Sequence, residues 1–354
     1  MEFEIQGHMI GDNHPTYFIA DIAANHDGDL DRAIELIRLA KEAGADAAKF
    51  QNFRAPNIVS DYGFKSLGEQ LSHQARWKKS VFNVYEDAVI PFEWTPTLKD
   101  ACDEFDIHYY SSPYDYEAIE MLDPYVPAYK AGSGLMSWPD AIVRMAKMGK
   151  PVLIATGASE MDDVRRVMDQ VLPINDQVVL FQCNTNYTAD EGNYDHLHLR
   201  VLESFAEEYP DVILGLSDHT QGAAVVVGAV AMGARVIERH FTDSNEREGP
   251  DHKFALNPEN WAHMVEEVRI LERALGRSEK LVADNEKDTY VVQRRCLRAA
   301  RDIKQGESFS EDMLEILRPA APGALMAWDL PSVVGKSAAA DIPFGKDIQT
   351  SDLA

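Results

Sequence analysis

Two histidines, each placed after an apolar run and beside a carboxylate, are the residues of this sequence best suited to chemistry. His219 follows the run 212–214 and His240 follows the run 234–237, so both imidazoles are predicted at the C-terminal tips of neighbouring strands. Neutral imidazole is a common ligand of Mn²⁺, Fe²⁺ and Zn²⁺. Two rigid strand tips would leave coordination positions open for substrate and water, which suits Lewis-acid activation of a carbonyl group. The alternative is that each histidine packs in the mouth of the fold, bonded to its neighbour.

Two lysines and several hydroxyl groups add a binding capacity for anions. Lys49 and Lys130 are predicted at the ends of the second and fourth strands, pointing inward, where water is scarce. A lysine there holds a phosphate as a point charge or forms a Schiff base, as in aldolases; otherwise its stem only covers apolar surface. Ser133, between two glycines, and Ser112 lie where small neighbours let backbone N–H groups approach an anion.

Asp21 and Glu238 are the candidate acid and base. Their carboxyl groups serve in proton transfer if a metal ion, the lysines and partial burial separate the two pKa values. They are equally well placed as salt-bridge partners of Lys49 or Arg239. The residues alone leave both roles open.

The candidate site residues are predicted to be positioned by strands that alternate with helices. Strands are predicted at 17–23, 47–51, 107–111, 128–131, 152–155, 178–182, 213–217 and 236–240. Helices are predicted at 30–43, 97–105, from 115, and at 138–148, 161–172, 199–209, 222–232 and 258–275. Eight such units, with no G-x-G-x-x-G after the first strand, predict a closed (β/α)₈ barrel rather than a doubly wound open sheet.

The functional site of such a barrel lies at the C-terminal ends of its strands. The residues predicted at these ends are Asp21, Asn25, Lys49, Gln51, Ser111, Ser112, Lys130, Ser133, Thr156, Asn184, Tyr187, Ser217, His219, Glu238 and His240. The aperiodic segment 54–94 is too long for a simple connector, so it is expected to contain some helix and to cover the site. We assign 1–276 to the barrel, the charged stretch 277–289 to a linker and 290–354 to a small β-rich domain.

Composition excludes several classes of function. The formal net charge of −25 argues against binding to nucleic acid or to an anionic membrane. The three cysteines, Cys102, Cys183 and Cys296, lie far apart without a C-x-x-C spacing and are predicted to be reduced core thiols. The sequence lacks a run long enough for a membrane span and its N-terminus lacks the pattern of a signal peptide, so a cytoplasmic protein is expected.

Taken together, the strand-tip motifs resemble the sialic acid synthase family, whose members condense phosphoenolpyruvate with an N-acyl amino sugar to make a nonulosonic acid. The matching motifs are found at 20–28, 48–51, 111–113, 129–134, 155–157, 215–220, 238–242, 249–252 and 317–319. The resemblance implies a TIM barrel followed by a SAF domain, the fold of type III antifreeze protein. It also implies a domain-swapped homodimer in which each tail reaches over the partner's barrel.

The family resemblance also implies roles for individual residues. His219 and His240 would bind a divalent ion, Mn²⁺ with Mg²⁺ or Co²⁺ as alternatives, without an organic cofactor. Phosphoenolpyruvate would be held by Lys49, Ser112, Lys130, Ser133 and Ser217. The sugar would be contacted by Gln51, Tyr187, Asp251 and Arg318 of the partner subunit. The metal would polarise the aldehyde of the open-chain sugar, and C3 of the enol would attack it. Phosphate would then leave by C–O cleavage. Asp21 or Glu238 would order the water or protonate the new alkoxide.

Two departures from the family pattern bear on the choice of sugar. Asp21 stands where the family usually has a glutamate, and Leu135 follows the Gly-Ser-Gly where sialic acid synthases commonly carry a carboxylate. The resemblance is also poor over 60–79. A displaced acid and a lost polar contact imply a sugar other than N-acetylmannosamine, such as a diamino-trideoxy hexose.

Two other functions compete with this one. A Schiff-base aldolase using Lys130 would act on a keto acid without a metal ion and would be trapped by borohydride. A non-catalytic protein would bind ice or polysaccharide through its antifreeze-like tail and use the barrel as a scaffold. Paired histidines and inward lysines at one face of the barrel favour an enzyme over a scaffold.

Overall fold

The computed structural model describes residues 1–71, 73–75 and 77–354 and divides the chain into two units, Met1–Gly276 and Arg277–Ala354. The strands of the first unit are β1 Glu2–Ile5, β2 His8–Gly11, β3 Tyr17–Asp21, β4 Ala47–Asn52, β5 His108–Pro113, β6 Tyr129–Ala131, β7 Val152–Ala155, β8 Val178–Cys183, β9 Ile213–Asp218 and β10 Ala234–His240. Its α-helices are α1 Leu30–Glu42, α2 Ala55–Ile58, α3 Asp61–Ser66, α4 Val81–Asp87, α5 Thr95–Glu104, α6 Tyr116–Leu122, α7 Pro139–Lys147, α8 Met161–Val171, α9 Val201–Glu208, α10 Ala224–Ala231 and α11 Pro258–Leu275.

Eight of these strands form the predicted barrel. They are hydrogen-bonded in the order β5-β4-β3-β10-β9-β8-β7-β6, with every pair parallel. The two end strands, β5 and β6, also lie side by side, which brings the barrel nearly to closure. The prediction of a (β/α)₈ barrel is therefore confirmed.

The helices form where the sequence supplies both a cap and an apolar stripe. In α1 the side chain of Asp29 accepts a hydrogen bond from the Arg32 backbone N–H, which satisfies one of the free donors of the first turn. The stripe that α1 buries consists of Ala33, Leu36, Ile37 and Ala40. The helix is followed by Gly44 at φ +93°, a left-handed conformation that glycine adopts without strain.

The interior of the barrel changes from apolar to charged along four of its strands, β3, β4, β6 and β10. Side chains alternate between the two faces of a strand, so Tyr17 and Ile19, which pack in the interior, are followed on the same face by Asp21. In β10 the same alternation leads from Val236 to Glu238 and then to His240. Charged residues thus line the inside only near the C-terminal ends of the strands.

An N-terminal hairpin closes the opposite end of the barrel and was missing from the sequence analysis. Its strands β1 and β2 are antiparallel. Three of its side chains, Phe3, Ile5 and Ile10, are buried in the same apolar cluster as the barrel interior. The hairpin therefore covers apolar surface that would otherwise face water at the N-terminal ends of the strands.

The segment 54–94 contains short helices, in agreement with the expectation of some helix there. Helices α2 and α4 pack together through a small cluster of Ala55, Val59 and Val81. This cluster is separate from the main core, so the segment forms a subsidiary layer on the first unit.

The second unit has its own small core. It contains α12 Lys287–Val292, β11 Cys296–Ala299, β12 Leu314–Leu317 and α13 Leu330–Val333, with β11 and β12 antiparallel. The core side chains are Leu297, Ala299, Ile303, Phe309, Val333, Ala338, Ile342 and Ile348. Several isolated antiparallel β-bridges join its loops. Helix α12 begins within the stretch 277–289 that the sequence analysis assigned to a linker.

Two further sequence observations can be compared with the structure. Cys102, Cys183 and Cys296 are all buried as free thiols, as expected for core residues. Over the described ranges of the chain, none of the helices has the length and apolar character that a membrane span requires.

The hairpin contact generates a test of the fold. We expect Ile5→Ala to lower the free energy of unfolding by about 2–4 kcal/mol, because truncating a fully buried aliphatic side chain removes its burial energy and leaves a cavity. Met9→Ala, in the same hairpin but largely exposed, should cost less than about 1 kcal/mol. Urea denaturation followed by circular dichroism measures both, and equal losses would show that the hairpin does not seal the barrel.

Candidate functional site

A polar cavity lies inside the barrel at the C-terminal ends of the strands. We call it the inner chamber; it holds about 320 Å³ of empty space, its open mouth included. Its lining residues are Asp21, Lys49, Gln51, Tyr114, Lys130, Gly132, Ser133, Ala155, Cys183, Tyr187, Ser217, His219, Glu238 and His240. Most of the residues predicted at the strand tips are therefore brought together.

Lys49 is the centre of the charge network in this chamber. It is only 2% exposed, and its Nζ donates to Asp21 Oδ2 at 2.6 Å and lies 3.8 Å from Glu238 Oε2. Burial by itself lowers the pKa of a lysine, but the two carboxylates outweigh it and raise the pKa of Lys49. Lys49 also donates to Ser112 Oγ at 3.4 Å. It is therefore a fixed cation whose charge is shared between two carboxylates.

Lys130 has a different environment although it is equally buried. Its Nζ lies 3.4 Å from Glu238 Oε1, donates to the Ala131 carbonyl at 3.2 Å and sits 5.0 Å from the centre of the Phe181 ring. Burial lowers the pKa of Lys130, with Glu238 opposing the shift. Lys130 is thus the more readily deprotonated of the two lysines.

The carboxylates are held by several donors but keep free acceptor capacity. Asp21 Oδ2 accepts from Gln51 Nε2 at 3.3 Å in addition to Lys49, and Asp21 Oδ1 accepts from the Ala23 backbone N–H at 3.1 Å. Glu238 Oε1 accepts from Ser217 Oγ at 3.3 Å. Glu238 Oε2 is buried and has no hydrogen-bond partner among the described residues. That oxygen is available to a bound water or substrate group.

The two histidines lie side by side, with ring centres 5.4 Å apart. His219 Nδ1 lies 2.8 Å from the Asn184 carbonyl oxygen; it must donate there, so the proton is on Nδ1 and Nε2 keeps a free lone pair. His240 Nδ1 is buried without a hydrogen-bond partner in the described part of the chain, and His240 Nε2 is 3.6 Å from Asp21 Oδ2. Burial lowers the pKa of both imidazoles, which keeps them neutral at physiological pH.

These properties fit a pair of metal ligands. A metal-binding histidine is neutral and commonly donates its second ring nitrogen to a carbonyl, as His219 does. Nδ1 of His240 is a buried polar atom without a hydrogen-bond partner among the residues that the structure describes. Within the described ranges, no group of three or more His, Cys, Asp or Glu side chains is arranged to hold an ion. The pair would therefore form an open site rather than a closed structural one.

An outer chamber adjoins the inner one and shares Gln51, Tyr114, Tyr187 and His240 with it. It encloses about 760 Å³, open solvent included. The rest of its lining is Ala23, Ala24, Phe53, Ile58, His73, Trp77, Val84, Tyr85, Ala88, Pro250 and Asp251. Trp77, Val84, Tyr85 and Ala88 come from the segment 54–94, which was predicted to cover the site. Most residues of the outer chamber are thus aromatic or apolar, with Gln51, His73, His240 and Asp251 adding polar groups to the same wall.

Asp251 is the carboxyl group of the outer chamber. Its Oδ2 accepts from the Ala24 backbone N–H at 3.2 Å. Burial, with a further contribution from the charge of Asp21, raises the pKa of Asp251 to about 7. Near neutral pH this carboxyl group can both donate and accept hydrogen bonds, which suits recognition of hydroxyl or amide groups.

Some of the residues predicted at the strand tips have structural roles instead. Asn25 donates to the Phe241 carbonyl, Ser111 donates to Asn52 Oδ1, and Thr156 donates to the Phe181 carbonyl. Leu135 is buried in the hydrophobic core and lines neither chamber. Arg318 belongs to the second unit, directly after β12, and its contact with a sugar in the partner subunit stays a prediction.

Several site residues were not predicted from the sequence. Tyr114 lies between the two chambers, and Phe254 packs against His240 with ring centres 4.8 Å apart. Trp77 and Tyr85 form part of the outer wall. An isolated aromatic residue in a loop carries no periodic signal, so only the fold reveals these positions.

Comparisons with known proteins identify the family and the domains of the chain. A family model described as the NeuB family matches residues 36–280, and one described as the SAF domain matches residues 294–354. The chain is 32% identical to human N-acetylneuraminate-9-phosphate synthase over 95% of this chain and 92% of that protein. It is 33% identical to pseudaminic acid synthase of Campylobacter jejuni over 96% of each chain. The crystal structure of a spore coat polysaccharide biosynthesis protein of Bacillus subtilis superposes with a TM-score of 0.66 and 28% identity, covering 100% of this chain and 99% of that one.

The charge network predicts a large stability effect. We expect Lys49→Met to lower the free energy of unfolding by about 3 kcal/mol, because it leaves Asp21 and Glu238 buried without their shared cation. Adding Asp21→Asn should recover part of this loss, since it removes one of the unpaired charges. Lys99→Met breaks an ion pair with Asp103 on the surface of α5 and should cost at most about 0.5 kcal/mol. Urea denaturation measures all variants, and a double variant less stable than Lys49→Met would contradict the assignment.

Proposed function

Because the chain belongs to the NeuB family, we propose that it is a nonulosonic acid synthase that condenses phosphoenolpyruvate with an N-acyl amino sugar and releases phosphate. The observation that carries this proposal is the inner chamber, where two buried lysines, two serines and two neutral histidines surround one polar cavity, with a third serine, Ser112, bonded to Lys49. A trianionic enol phosphate needs fixed cations and hydroxyl donors, and this chamber supplies both. We also propose that the protein is cytoplasmic, where phosphoenolpyruvate is available and free thiols persist.

The charge balance of the chamber supports a requirement for a divalent ion. With neutral histidines, the positive charges of Lys49 and Lys130 are cancelled by the negative charges of Asp21 and Glu238. An anionic substrate would then bring in uncompensated charge, which is costly in a buried site. A divalent cation held by His219 and His240 would offset part of that charge, and Mn²⁺ is the proposed ion, with Mg²⁺ or Co²⁺ as alternatives.

The residues of the chamber divide the work of binding phosphoenolpyruvate. Lys49 and Lys130 bind its phosphate and carboxylate groups as fixed cations. Ser112, Ser133 and Ser217 add hydroxyl donors around these groups. This arrangement holds C3 of the enol toward the outer chamber, where the sugar enters.

The bond-forming steps then follow from the positions of the two carboxylates. When bound, the divalent ion supplies Lewis-acid polarisation of the sugar aldehyde. C3 of phosphoenolpyruvate forms a bond to the aldehyde carbon, which leaves a cation at C2 and an alkoxide on the sugar. Asp21 or Glu238 orders the water that adds to C2, takes its proton and passes a proton to the alkoxide. The bond between C2 and the phosphate oxygen of the tetrahedral intermediate then breaks, the C2 hydroxyl gives its proton to the departing phosphate, and C2 becomes the ketone of the product.

The outer chamber supports an acceptor that carries acyl and methyl groups. Its own lining within the described part of the chain contains neither Lys nor Arg, so recognition of a phosphate on the sugar would depend on Arg318 of the partner subunit. Aromatic and apolar side chains such as Trp77, Tyr85 and Phe53 suit N-acetyl and deoxy positions. We therefore favour a diamino-trideoxy hexose over an N-acetylmannosamine-type sugar, with Gln51, Tyr187 and Asp251 as its polar contacts.

A Schiff-base aldolase is the second candidate, and one observation favours it. The lowered pKa of Lys130 increases its neutral, nucleophilic fraction, as a Schiff-base lysine requires. This mechanism has no use for a metal ion or for the paired histidines. The two candidates therefore differ in metal dependence and in trapping by borohydride.

A domain-swapped homodimer completes the proposal. The second unit exposes large apolar side chains, among them Trp328 at 71% and Phe344 at 67%, and a surface of this kind is typical of an interface. We propose that a second copy of the chain covers it and receives Arg318 at its sugar site. Analytical ultracentrifugation tests this, since a monomer at micromolar concentration would contradict it.

The proposed reaction makes a direct prediction. Purified protein should release phosphate from phosphoenolpyruvate only when both a divalent ion and an N-acyl amino sugar are present. A panel of N-acetylmannosamine, its phosphorylated form and bis-acetamido-trideoxy hexoses, measured by a phosphate assay, should give the highest kcat/KM with a trideoxy sugar. Activity that survives chelation, together with incorporation of borohydride label at Lys130, would support the aldolase instead.

A matched pair of variants tests the metal site separately from turnover. His219→Ala should weaken Mn²⁺ binding by about ten-fold or more, because one of two imidazole ligands is lost. His263→Ala, on the exposed side of α11, should leave binding unchanged. Isothermal titration with Mn²⁺ alone measures both, and equal affinities for the two variants would remove His219 from the site.

A further inference from the structure

The loop that follows β10 brings two side chains to the chambers. Asp251 lines the outer chamber, and Phe254 packs against the rings of His240 and Tyr187 at 4.8 and 5.2 Å. His252 lies between them in sequence but is absent from the lining of either chamber and is completely buried. His252 can therefore affect the chambers only through the neighbouring residues of its loop.

Both ring nitrogens of His252 are hydrogen-bonded, one on each side of the loop. His252 Nε2 lies 2.9 Å from Asp27 Oδ1, and His252 Nδ1 lies 2.8 Å from Thr242 Oγ1. The carboxylate can only accept, so the proton is assigned to Nε2. The Thr242 hydroxyl also lies 3.2 Å from the Ser244 carbonyl and 3.4 Å from Asp243 Oδ1, and we assign its proton to Nδ1 as the nearest acceptor. Thr242 Oγ1 in turn accepts from the Ser244 backbone N–H at 3.2 Å. The hydrogen bonds therefore run in one direction through the imidazole.

The partner on the far side is itself anchored. Asp27 belongs to the loop after β3, and its Oδ2 lies 3.1 Å from Arg32 Nε. Arg32 also forms a bidentate pair with Asp243, with both contacts at 2.7 Å. The first and last loops of the barrel are thus joined by His252 and by Arg32.

The backbone around His252 leaves little space for another arrangement. A Cβ atom on Gly249 would lie 2.6 Å from His252 Cδ2, so the chain passes directly against the imidazole ring. Next to His252, Asp251 Oδ2 accepts from the Ala24 backbone N–H at 3.2 Å. Residues 251 and 252 therefore both contact the loop after β3, at Ala24 and at Asp27.

We propose that His252 is a positioning residue that fixes Asp251 at the outer chamber and thereby sets the affinity for the acceptor sugar. The fixing of Asp251 concerns the loop alone, whereas the effect on the affinity for the sugar rests on the proposed function. Asn245 Nδ2 also donates to the His252 and Ala255 carbonyls at 2.7 and 2.8 Å, so loss of both imidazole hydrogen bonds leaves these backbone contacts in place and removes the link from residue 252 to Asp27 and Thr242. Asp251 then leaves the Ala24 N–H, while Lys49, Lys130 and the phosphoenolpyruvate site stay in place on their strands.

Two variants separate the hydrogen bonds of His252 from its bulk. His252→Phe keeps a planar ring but loses both bonds, whereas His252→Gln keeps a donor able to reach Asp27. His108 supplies the matched control, because it is also a buried histidine bonded at both ring nitrogens, to Tyr17 and His8, at the opposite end of the barrel. His108→Phe perturbs the fold without touching the loop.

The first measurement needs no substrate. Hydrogen–deuterium exchange resolved to single amides reports directly on the Ala24 N–H, which is bonded to Asp251. We expect exchange at Ala24 to rise by about ten-fold or more in His252→Phe, by less in His252→Gln and not at all in His108→Phe. Unchanged exchange at Ala24 in His252→Phe would overturn the proposal whatever the protein catalyses.

The second measurement is kinetic. We expect the KM for the acceptor sugar to rise by about ten-fold or more in His252→Phe, with the KM for phosphoenolpyruvate within about two-fold of the parent and partial rescue in His252→Gln. Equal rises in both KM values, or an unchanged sugar KM despite faster exchange at Ala24, would overturn the positioning role. Failure of the proposed function is distinguishable, because the parent protein itself would then release no phosphate with any sugar.

Discussion

The site depends on the mutual compensation of four charges that the barrel buries together. Asp21, Lys49, Lys130 and Glu238 come from separate strands, and any one of them alone would be expensive to remove from water. Lys49 makes the arrangement possible because it lies between the two carboxylates. The desolvation of these charges is tolerated at the open end of the barrel, where a bound substrate can replace one charged group as the partner of another. At the other end, the hairpin of β1 and β2 keeps the interior apolar.

Most of this arrangement could be predicted from the sequence because strands impose a period of two. Once Tyr17 and Ile19 are assigned to the interior, Asp21 must follow them there, and the same reasoning places Glu238 and His240. The ends of α1 and α11 were equally readable, because Asp29 and Asn257 are N-caps and Gly44 and Gly276 follow the last turns. Features that follow from local pattern, such as the alternation of a strand or the cap of a helix, can therefore be predicted from the sequence.

The remaining parts are set by contacts between distant segments and carry weaker signals. The hairpin was missed although the alternation of Glu2 to Ile5 and the following glycine are typical of one. Phe254 and His252 occur in a loop without any period, and their roles appear only when that loop meets Asp27 and His240. Asn25, Ser111 and Thr156 were predicted at the site but have structural roles. A polar residue at a strand tip often bonds a neighbouring backbone or amide group instead of a ligand.

The two chambers are formed by different kinds of structure. This difference allows the chemistry and the choice of sugar to reside in separate parts of the site. The inner chamber is built from strand ends, whose positions are fixed by the hydrogen-bonded barrel and cannot vary without disturbing it. The outer chamber is built from α4, the residues before it and the loop after β10, which have smaller packing interfaces of their own. Changes there can reshape the pocket for the sugar while the buried charges stay in register. Asp251 lies on a loop of the outer chamber, yet its carboxyl group must be held at a fixed position next to the side chains at the strand ends. The buried ring of His252 helps to meet both requirements, since it links Asp27 in the loop after β3 to Thr242 just after β10, while Asn245 holds the backbone carbonyls of His252 and Ala255.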